Sequence, residues 1–219
     1  MNRWLNSTVA TYEKVFGKTA RPVIYEVGSR DGNDGVELAR RIWSGNTAFW
    51  KSSTVVLFEC NPPQIKVVRT NYPRATVITE AISDKKGVAE FVQLDGDINE
   101  IGSSSMDKGR LDLPWGRNKK IIEVPTRRLD DVIEELGHQN LEIDVMKIDI
   151  EGYTYEALQG LDKYLRNVKV FHLETEIEEI ARNKTNLDVF LYMEERGYQC
   201  TALENEWGHT IQDQVWVRV

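Results

Sequence analysis

Cysteine, histidine and long apolar runs are all scarce in this sequence. It contains 2 cysteines and 3 histidines in 219 residues. Cys60 and Cys200 stand far apart and fit no metal-binding or redox spacing, which predicts reduced thiols rather than a disulfide framework or a zinc site. No apolar stretch is long enough to span a bilayer. The first residues also lack the apolar core of a secretory signal peptide, so we expect a cytoplasmic protein with no membrane partner.

Positively charged residues are also fewer than negatively charged ones. The chain has 28 Lys and Arg against 35 Asp and Glu, a net charge of −7 with a pI of about 5.2. An acidic surface disfavours a broad phosphate-binding face, so no nucleic-acid partner is expected. Internal repeats, low-complexity tracts and Pro/Ser-rich linkers are missing as well. A chain of this length without linkers predicts one domain over residues 1–219 with a sizeable core.

What the chain does contain is an alternation of short apolar segments with amphipathic ones. This alternation favours an α/β fold on a doubly wound, mostly parallel sheet. Strands are predicted at residues 23–27, 54–59, 76–82, 143–149, 169–174, 199–203 and 214–219, and helices at 35–43, 63–72, 129–136, 153–165 and 186–196. The last two strands are close in sequence, which predicts an antiparallel hairpin at the sheet edge.

Two segments stand outside the alternation. Residues 1–20 carry apolar side chains at helical spacing and predict a docking helix that covers core, with a lid over a cofactor as the alternative. Residues 95–120 are polar and irregular, and long segments of this kind are often binding loops. We therefore expect a substrate-side insertion at 95–120, although a plain surface excursion fits the pattern equally well.

The first motif, residues 26–32, follows the first apolar strand and reads Glu-Val-Gly-Ser-Arg-Asp-Gly. Gly28 permits a tight turn and lets backbone approach a ligand closely. The spacing of Gly28 and Gly32 is not the G-x-G-x-x-G of dinucleotide folds, and Glu26 would repel a pyrophosphate there. An acid at this strand end suits a cationic ligand group instead, unless Glu26 simply pairs with Arg21 or Arg30.

Glu59 ends the second apolar strand. A carboxylate in this place can accept hydrogen bonds from two ribose hydroxyls, each contributing roughly 1.5–3 kcal/mol. The alternative is a solvated strand end. Ala81, Ile82 and Ser83 follow the third strand, where small and apolar residues can wall an adenine. A plain strand followed by a turn explains that segment equally well.

Two acids, Asp149 and Glu151, stand two positions apart at the end of the fourth strand. Residues with this spacing point the same way on a continuing strand, at the edge where α/β folds bind ligands. They could orient an ammonium, hold a divalent metal or act as a general base, or pair structurally with Lys147. No third oxygen ligand is identifiable, so no metal is predicted. His172 and Glu174, two apart on the fifth strand, complete the catalytic candidates, although a strand histidine is more often a satisfied core residue.

Taken in order, these segments resemble the FkbM family of S-adenosylmethionine-dependent methyltransferases. The matching pieces are residues 26–32, Phe58-Glu59 with Pro62, Ala81–Asp84 with Gly87, Ser103–Met106, Thr126 with Leu129-Asp130, Lys147–Gly152 and Glu174. The chain departs from the family's Asp-Val-Gly-Ala-Asn in the first motif. It has Glu26 for the Asp and Ser29-Arg30 for the Ala-Asn.

The resemblance implies a Rossmann-like class I methyltransferase sheet of seven strands with an antiparallel last strand. It also implies S-adenosyl-L-methionine as cofactor, with glycines at the methionine moiety, an acid on ribose, and the serine run near the active site. The candidate cofactor-binding residues are Glu26, Gly28, Ser29, Gly32, Glu59, Cys60, Ala81, Ile82, Ser83 and Asp149. The candidate substrate residues are Ser104 and Ser105.

The function expected from the resemblance is O-methylation of a hydroxyl on a small molecule or glycan. The candidates for taking the hydroxyl proton are Asp149, Glu151, His172 and Glu174. Two other classes remain open: an NAD-dependent oxidoreductase or sugar-nucleotide enzyme on the same topology, and a cofactor-binding module that has lost its chemistry. Neither the methyl acceptor nor the oligomeric state can be predicted from this sequence.

Overall fold

A computed structural model describes residues 5–46, 48–96, 101–112, 118–177, 184–206 and 211–219. The strands are β1 Val23–Val27, β2 Thr54–Phe58, β3 Thr76–Ile78, β4 Ala81–Ile82, β5 Gly87–Leu94, β6 Lys119–Arg127, β7 Ile143–Ile148, β8 Val168–Glu176, β9 Tyr198–Glu206 and β10 Ile211–Arg218. The α-helices are α1 Asn6–Phe16, α2 Asn33–Ile42, α3 Phe49–Ser52, α4 Pro62–Asn71, α5 Leu129–Glu135, α6 Thr154–Gln159 and α7 Asn186–Glu195, and short 3-10 turns cover Lys108–Asp112 and Leu165–Asn167.

The main sheet has seven strands in the order β3-β2-β1-β7-β8-β10-β9. β1 pairs in parallel with β2 and β7, while β10 runs antiparallel to both β8 and β9. Every residue of β1 and β7 is buried, as expected for central strands covered on both faces. The predicted seven-stranded, mostly parallel fold with an antiparallel last strand is confirmed.

Apolar side chains fill both faces of this sheet. On one face, α1 and α2 pack through residues such as Leu5, Val36 and Ile42 against Ile24 and Val145. On the other face, α5, α6 and α7 cover a second cluster. None of the helices within the described ranges is long and apolar enough to cross a membrane. Cytoplasmic location and the division of the chain into one domain stay predictions.

Helix α1 is fixed to the sheet by polar contacts as well as by packing. The Tyr12 hydroxyl donates to Asp144 Oδ1 at 2.7 Å, and Thr11 lies 2.9 Å from Thr201 through their side-chain oxygens. Burial and the neighbouring Asp144 raise the pKa of Tyr12 far above its usual range. The helix therefore lies against the strands over most of its length.

A second sheet differs from the expected pattern. The strand predicted at 76–82 divides into β3, in the main sheet, and β4, which joins a separate sheet ordered β4-β6-β5. β5 and β6 had no predicted counterpart, because exposed polar residues and Pro125 interrupt their apolar pattern. The predicted insertion at 95–120 covers the connection between them and the first two residues of β6. Its residues 97–100 and 113–117 fall outside the described residues.

Candidate active site

The turn after β1 is tight enough to require glycine at its start. Gly28 has φ +86° and Gly32 has φ +79°. A Cβ added to Gly28 would overlap the backbone carbonyl oxygen of Asp149, and one added to Gly32 would lie 2.8 Å from the Tyr72 ring. Gly28 thus lets the chain segments after β1 and β7 approach each other closely, at a place where any side chain would overlap backbone.

The Ser29 side chain stabilises this turn through hydrogen bonds to backbone carbonyl groups. Its hydroxyl donates to the carbonyl oxygen of Glu26 at 2.9 Å and also lies 3.1 Å from that of Phe58. The side chain is 2% exposed. These contacts are those of a residue that shapes the turn, so Ser29 faces the backbone rather than open space. Its assignment to cofactor binding stays a prediction.

Glu59 is buried at the end of β2 and held by backbone donors. The N–H of Asn61 donates to its Oε1 and the N–H of Arg30 donates to its Oε2, both at 2.8 Å. Burial raises the pKa of Glu59 to about 7, although these two N–H groups favour the ionised form. The carboxylate therefore titrates near neutral pH while its position is fixed by the chain itself.

The segment proposed to wall an adenine lies in the small sheet. Ala81 and Ile82 are buried in β4, and the Ser83 hydroxyl donates to Asp84 Oδ1 at 2.9 Å. Cys60 packs against the cluster that contains Ala81 and Phe91. Burial raises the pKa of the Cys60 thiol far above its usual range, so it is held as a neutral side chain.

Three ionisable side chains lie side by side beneath α1 and α2. Glu26 pairs in register with Lys147 on β7, and Lys147 pairs with His172 on β8. Parallel partners in register point to the same face, so the three form one row across three strands. They are 2%, 5% and 1% exposed, respectively. We call this set the buried row.

Lys147 is the centre of the buried row. Its ammonium lies 2.6 Å from Asp149 Oδ2 and 3.3 Å from Asp34 Oδ2 on α2. Burial would lower the pKa of Lys147, but Asp149, Asp34 and Glu26 together raise it well above its usual range. The same burial raises the pKa of Glu26, which Lys147 only partly offsets. One of the Glu26 oxygens, Oε2, is buried without a hydrogen-bond partner.

Asp149, Glu151 and Glu174 bring carboxylate oxygens within 4.8 Å of one another at the carboxyl ends of β7 and β8. Burial favours protonation of Asp149, but the Lys147 ammonium and hydrogen bonds from Lys147 and Glu174 hold its pKa below the usual range. Burial and the charges of Asp149 and Glu151 raise the pKa of Glu174 well above its usual range. Glu174 therefore keeps a proton and donates it in a hydrogen bond to ionised Asp149.

Two kinds of positive charge could balance these three acids. Glu174 is the third oxygen ligand that could not be identified from the sequence, and three carboxylates at such spacing can hold a divalent cation. Here the Lys147 ammonium supplies positive charge to Asp149 at 2.6 Å. Glu151 has φ +53°, an uncommon conformation for a non-glycine residue that is often found at functional sites. The arrangement keeps Asp149 ionised, so that its carboxylate can accept a hydrogen bond from a hydroxyl group.

His172 is enclosed by protein groups. Its Nδ1 lies 2.7 Å from the Thr8 hydroxyl of α1, and its Nε2 lies 3.2 Å from Asp213 Oδ1 on β10. Both ring nitrogens are therefore engaged by buried side chains. These contacts favour a role in holding α1 and β10 together over the catalytic role suggested by its position beside Glu174.

Residues 101–107 cross the same edge, and we call this segment the strap. Ser105 Oγ donates to the Glu151 carbonyl oxygen at 2.6 Å, and Ser104 Oγ donates to the Ile101 carbonyl oxygen at 2.7 Å. Gly102 lies against the Arg30 side chain, so the strap reaches from the β1 turn to the end of β7. Both serines position the strap, and their role as substrate residues stays a prediction.

The sequence matches the family described as "Methyltransferase FkbM domain" over residues 26–200. That match includes the turn, Glu59, Asp149 and Glu174. The chain belongs to the FkbM family of S-adenosylmethionine-dependent methyltransferases. The relative "2-O-methyltransferase NoeI" of Sinorhizobium fredii is 29% identical to this chain over 179 residues, which cover 78% of this chain and 70% of NoeI.

Solved structures share the fold of this FkbM protein. The O-methyltransferase from Bacillus cereus in complex with SAH has a TM-score of 0.53 at 14% identity, covering 100% of this chain and 82% of that one. Magnesium protoporphyrin IX methyltransferase (ChlM) from Synechocystis PCC 6803, with bound SAM, has a TM-score of 0.51 at 10% identity, covering 98% and 78%. These likenesses confirm the class I methyltransferase architecture.

Two residues of the site were not singled out from sequence. Asp34 lies on α2 and reaches Lys147 from a distant part of the chain. Arg30 adopts φ +50° in the turn, where the family usually has asparagine, a residue that enters this conformation more readily. The departure from the family at Arg30 was the available signal, whereas nothing in the sequence marks Asp34.

Proposed function

We propose that this protein transfers the methyl group of S-adenosylmethionine to a hydroxyl group of a small molecule or glycan. The observation that carries the proposal is the Asp149 carboxylate. It is held by Lys147 at 2.6 Å and stands where the turn at Gly28 meets β7. A general base at this edge is what methylation of a hydroxyl requires, because the hydroxyl proton must leave.

The cofactor fits the residues that the edge presents. S-adenosylmethionine supplies a methyl group already activated by a positively charged sulfur. We assign the backbone of the Gly28 turn to close approach of the cofactor, Glu59 to the ribose hydroxyls, and the buried acid Glu26 to the electrostatic environment of the cationic end. Ala81 and Cys60 share one apolar cluster and provide a wall suited to a base, whereas Ile82 packs into the main core.

Within this proposal, Asp149 takes the proton as the acceptor oxygen bonds to the methyl carbon. Glu174 already carries a proton, so the pair can hold a second one and release it to solvent afterwards. Alignment of the acceptor and exclusion of water provide the rest of the rate enhancement. The strap, bonded to Glu151 through Ser105, lies where it can do both.

Methylation of oxygen rather than nitrogen is supported by the relative named as a 2-O-methyltransferase. The pair of Asp149 and Glu174 supports the same choice. An amine acceptor can react in its neutral form, whereas a hydroxyl benefits from a base in the transition state. We therefore propose hydroxyl acceptors, with sugars and other polyols as the first class to test.

The test begins with calorimetric titration of S-adenosylhomocysteine into the protein, with NAD titrated in parallel. We expect micromolar binding of S-adenosylhomocysteine and none of NAD. Ligand at about 100 times its dissociation constant should stabilise the fold by about 2.7 kcal/mol, visible in a melting curve. Binding of NAD alone would contradict the methyltransferase proposal.

The second stage supplies labelled S-adenosylmethionine with a panel of glycosides and small alcohols. Label is expected on a hydroxyl oxygen of at least one panel member, identified by mass spectrometry. A protein that binds S-adenosylhomocysteine but labels no panel member would favour a cofactor-binding module without chemistry. Label on an amine in preference to a hydroxyl would overturn the choice of acceptor.

A further inference from the structure

Arg30 occupies a strained position in the turn. Its φ of +50° places it in the left-handed region, which costs a non-glycine residue free energy. Its backbone N–H donates to Glu59 Oε2 at 2.8 Å, and this bond holds the conformation. Residues kept in such conformations cluster at ligand sites, because the surrounding structure fixes them there.

The guanidinium of Arg30 lacks a hydrogen bond or ion pair to any residue in the described part of the chain, and its Nε is buried without a hydrogen-bond partner. Arginine has five donors, and a buried donor left unpaired is destabilising. The side chain is not loose, because it lies along Gly102 of the strap. A Cβ added to Gly102 would be 3.3 Å from Arg30 Cδ. Between the turn and the strap, the structure thus places a guanidinium with no hydrogen bond to the described residues, and its charge also favours the ionised form of Glu59.

The other cationic group near this turn, the Lys147 ammonium, already has partners. Lys147 is shared by Asp149 and Asp34. Asp149, Glu151 and the ionised form of Glu59 supply negative charge to the same edge and suit the sulfonium and ammonium of a bound cofactor. They do not suit its carboxylate, which needs a cation. Among the described residues of the turn, Arg30 alone offers one, and a guanidinium matches a carboxylate with two parallel hydrogen bonds.

We propose that Arg30 binds the α-carboxylate of the methionine moiety of the cofactor. The proposal rests on the proposed function, since it assumes that S-adenosylmethionine occupies this edge. It assigns a residue that replaces the family's usual asparagine to a contact that asparagine, which carries no charge, cannot make as an ion pair. It also explains why a residue with a conformational penalty is present in the turn.

The test compares two ligands that differ only in this carboxylate. Calorimetry measures the affinity of S-adenosylhomocysteine and of its decarboxylated analogue, S-(5′-adenosyl)-3-thiopropylamine, for the wild-type protein. We expect the wild-type protein to prefer S-adenosylhomocysteine by at least about tenfold, because charge-assisted bidentate pairs are among the strong hydrogen bonds. Equal affinity for both ligands would overturn the proposal without any variant.

Two variants then locate the contact. Arg30→Asn removes the charge but keeps a residue that tolerates the left-handed turn. It should weaken S-adenosylhomocysteine binding at least about tenfold and change binding of the analogue less than about twofold. Arg30→Lys keeps a charge without the fork, and its loss should be intermediate. Weakening of both ligands to the same degree would mean that Arg30 only supports the turn.

The control is Arg40→Met, which removes a positive charge from α2. Arg40 stacks over Phe49 at 5.6 Å and borders, together with Arg30, an open groove of about 610 Å³. Its loss should leave both affinities unchanged, and an equal loss in this variant would place the carboxylate along α2 instead. Failure of the wild-type protein to bind either ligand would instead contradict the proposed function, so the two failures are distinguishable.

Discussion

The candidate active site lies along the carboxyl ends of the parallel strands, and its two ends hold their carboxylates by different means. At the end formed by β1 and β2, backbone N–H groups of Arg30 and Asn61 fix Glu59, each at 2.8 Å. At the end formed by β7 and β8, another side chain fixes Asp149, through the Lys147 ammonium at 2.6 Å. Backbone donors keep their protons, whereas ionisable side chains can exchange them. Under the proposed function, we therefore expect the first end to bind the cofactor and the second to accept a proton.

The largest effect is expected when this division is tested at the second end. Asp149→Asn keeps the shape of the side chain but removes the proton acceptor, so turnover should fall by roughly 10²–10⁴-fold. Affinity for S-adenosylhomocysteine should change much less. Rates are measured with labelled S-adenosylmethionine and an acceptor from the hydroxyl panel, and stability is measured by thermal melting.

Asp162→Asn is the matched control, because the Asp162 side chain is 69% exposed and lies away from the edge. It should match the wild-type protein in turnover and melting temperature. If Asp149→Asn mainly unfolds the protein and leaves the rate per folded molecule intact, the carboxylate is a structural partner of Lys147. The contrast between the two ends would then disappear.

A second prediction concerns the contact between Gly28 and Asp149, which connects the two ends of the site. Gly28→Ala should destabilise the fold beyond the penalty of the left-handed conformation, because the new Cβ would overlap the Asp149 carbonyl oxygen. Gly137→Ala is the control, since Gly137 has φ +71° with no atom within 4 Å of an added Cβ. Overpacking typically adds about 1–3 kcal/mol, so Gly28→Ala should unfold at lower denaturant than Gly137→Ala. Equal midpoints would show that the strands separate at little cost.

The smallest effect is expected at the first end and depends on pH. Burial raises the pKa of Glu59 to about 7, and only its ionised form accepts hydrogen bonds from two ribose hydroxyls. Because apparent affinity scales with the competent fraction, binding of S-adenosylhomocysteine should weaken up to about tenfold as pH falls from 8 to 6. Glu59→Gln should bind weakly at both pH values and lose this dependence. A wild-type affinity that does not vary with pH would remove Glu59 from the ribose.

The fold could be predicted where burial is continuous. β1 and β7 are buried at every position, so their apolar runs identify them without tertiary information. β5 and β6 could not be predicted, because both are only partly buried, and Pro125 interrupts the second. Their pairing with each other, and with the short β4, is a long-range property that no local pattern contains.

The residues of the candidate site also separate into those that the sequence predicts and those that it does not. The acids Glu59, Asp149 and Glu174 stand at strand ends, where topology alone brings them to one edge. Their partners could not be predicted, because Lys147 meets Asp34 and His172 meets Thr8 across distant parts of the chain. Side-chain burial decides which acid keeps its proton, and burial depends on helices that pack over the strands.

The buried row of Glu26, Lys147 and His172 also constrains how this sequence can evolve. A single replacement of Lys147 by an apolar residue would leave Asp34, Asp149 and Glu26 without their common cation. Uncompensated buried charge is strongly destabilising, whereas replacing a whole charged group by apolar residues can be neutral. These positions should therefore change together or not at all between related proteins. Lineages that have exchanged Asp34 and Asp149 together with the whole row should be as stable as this one.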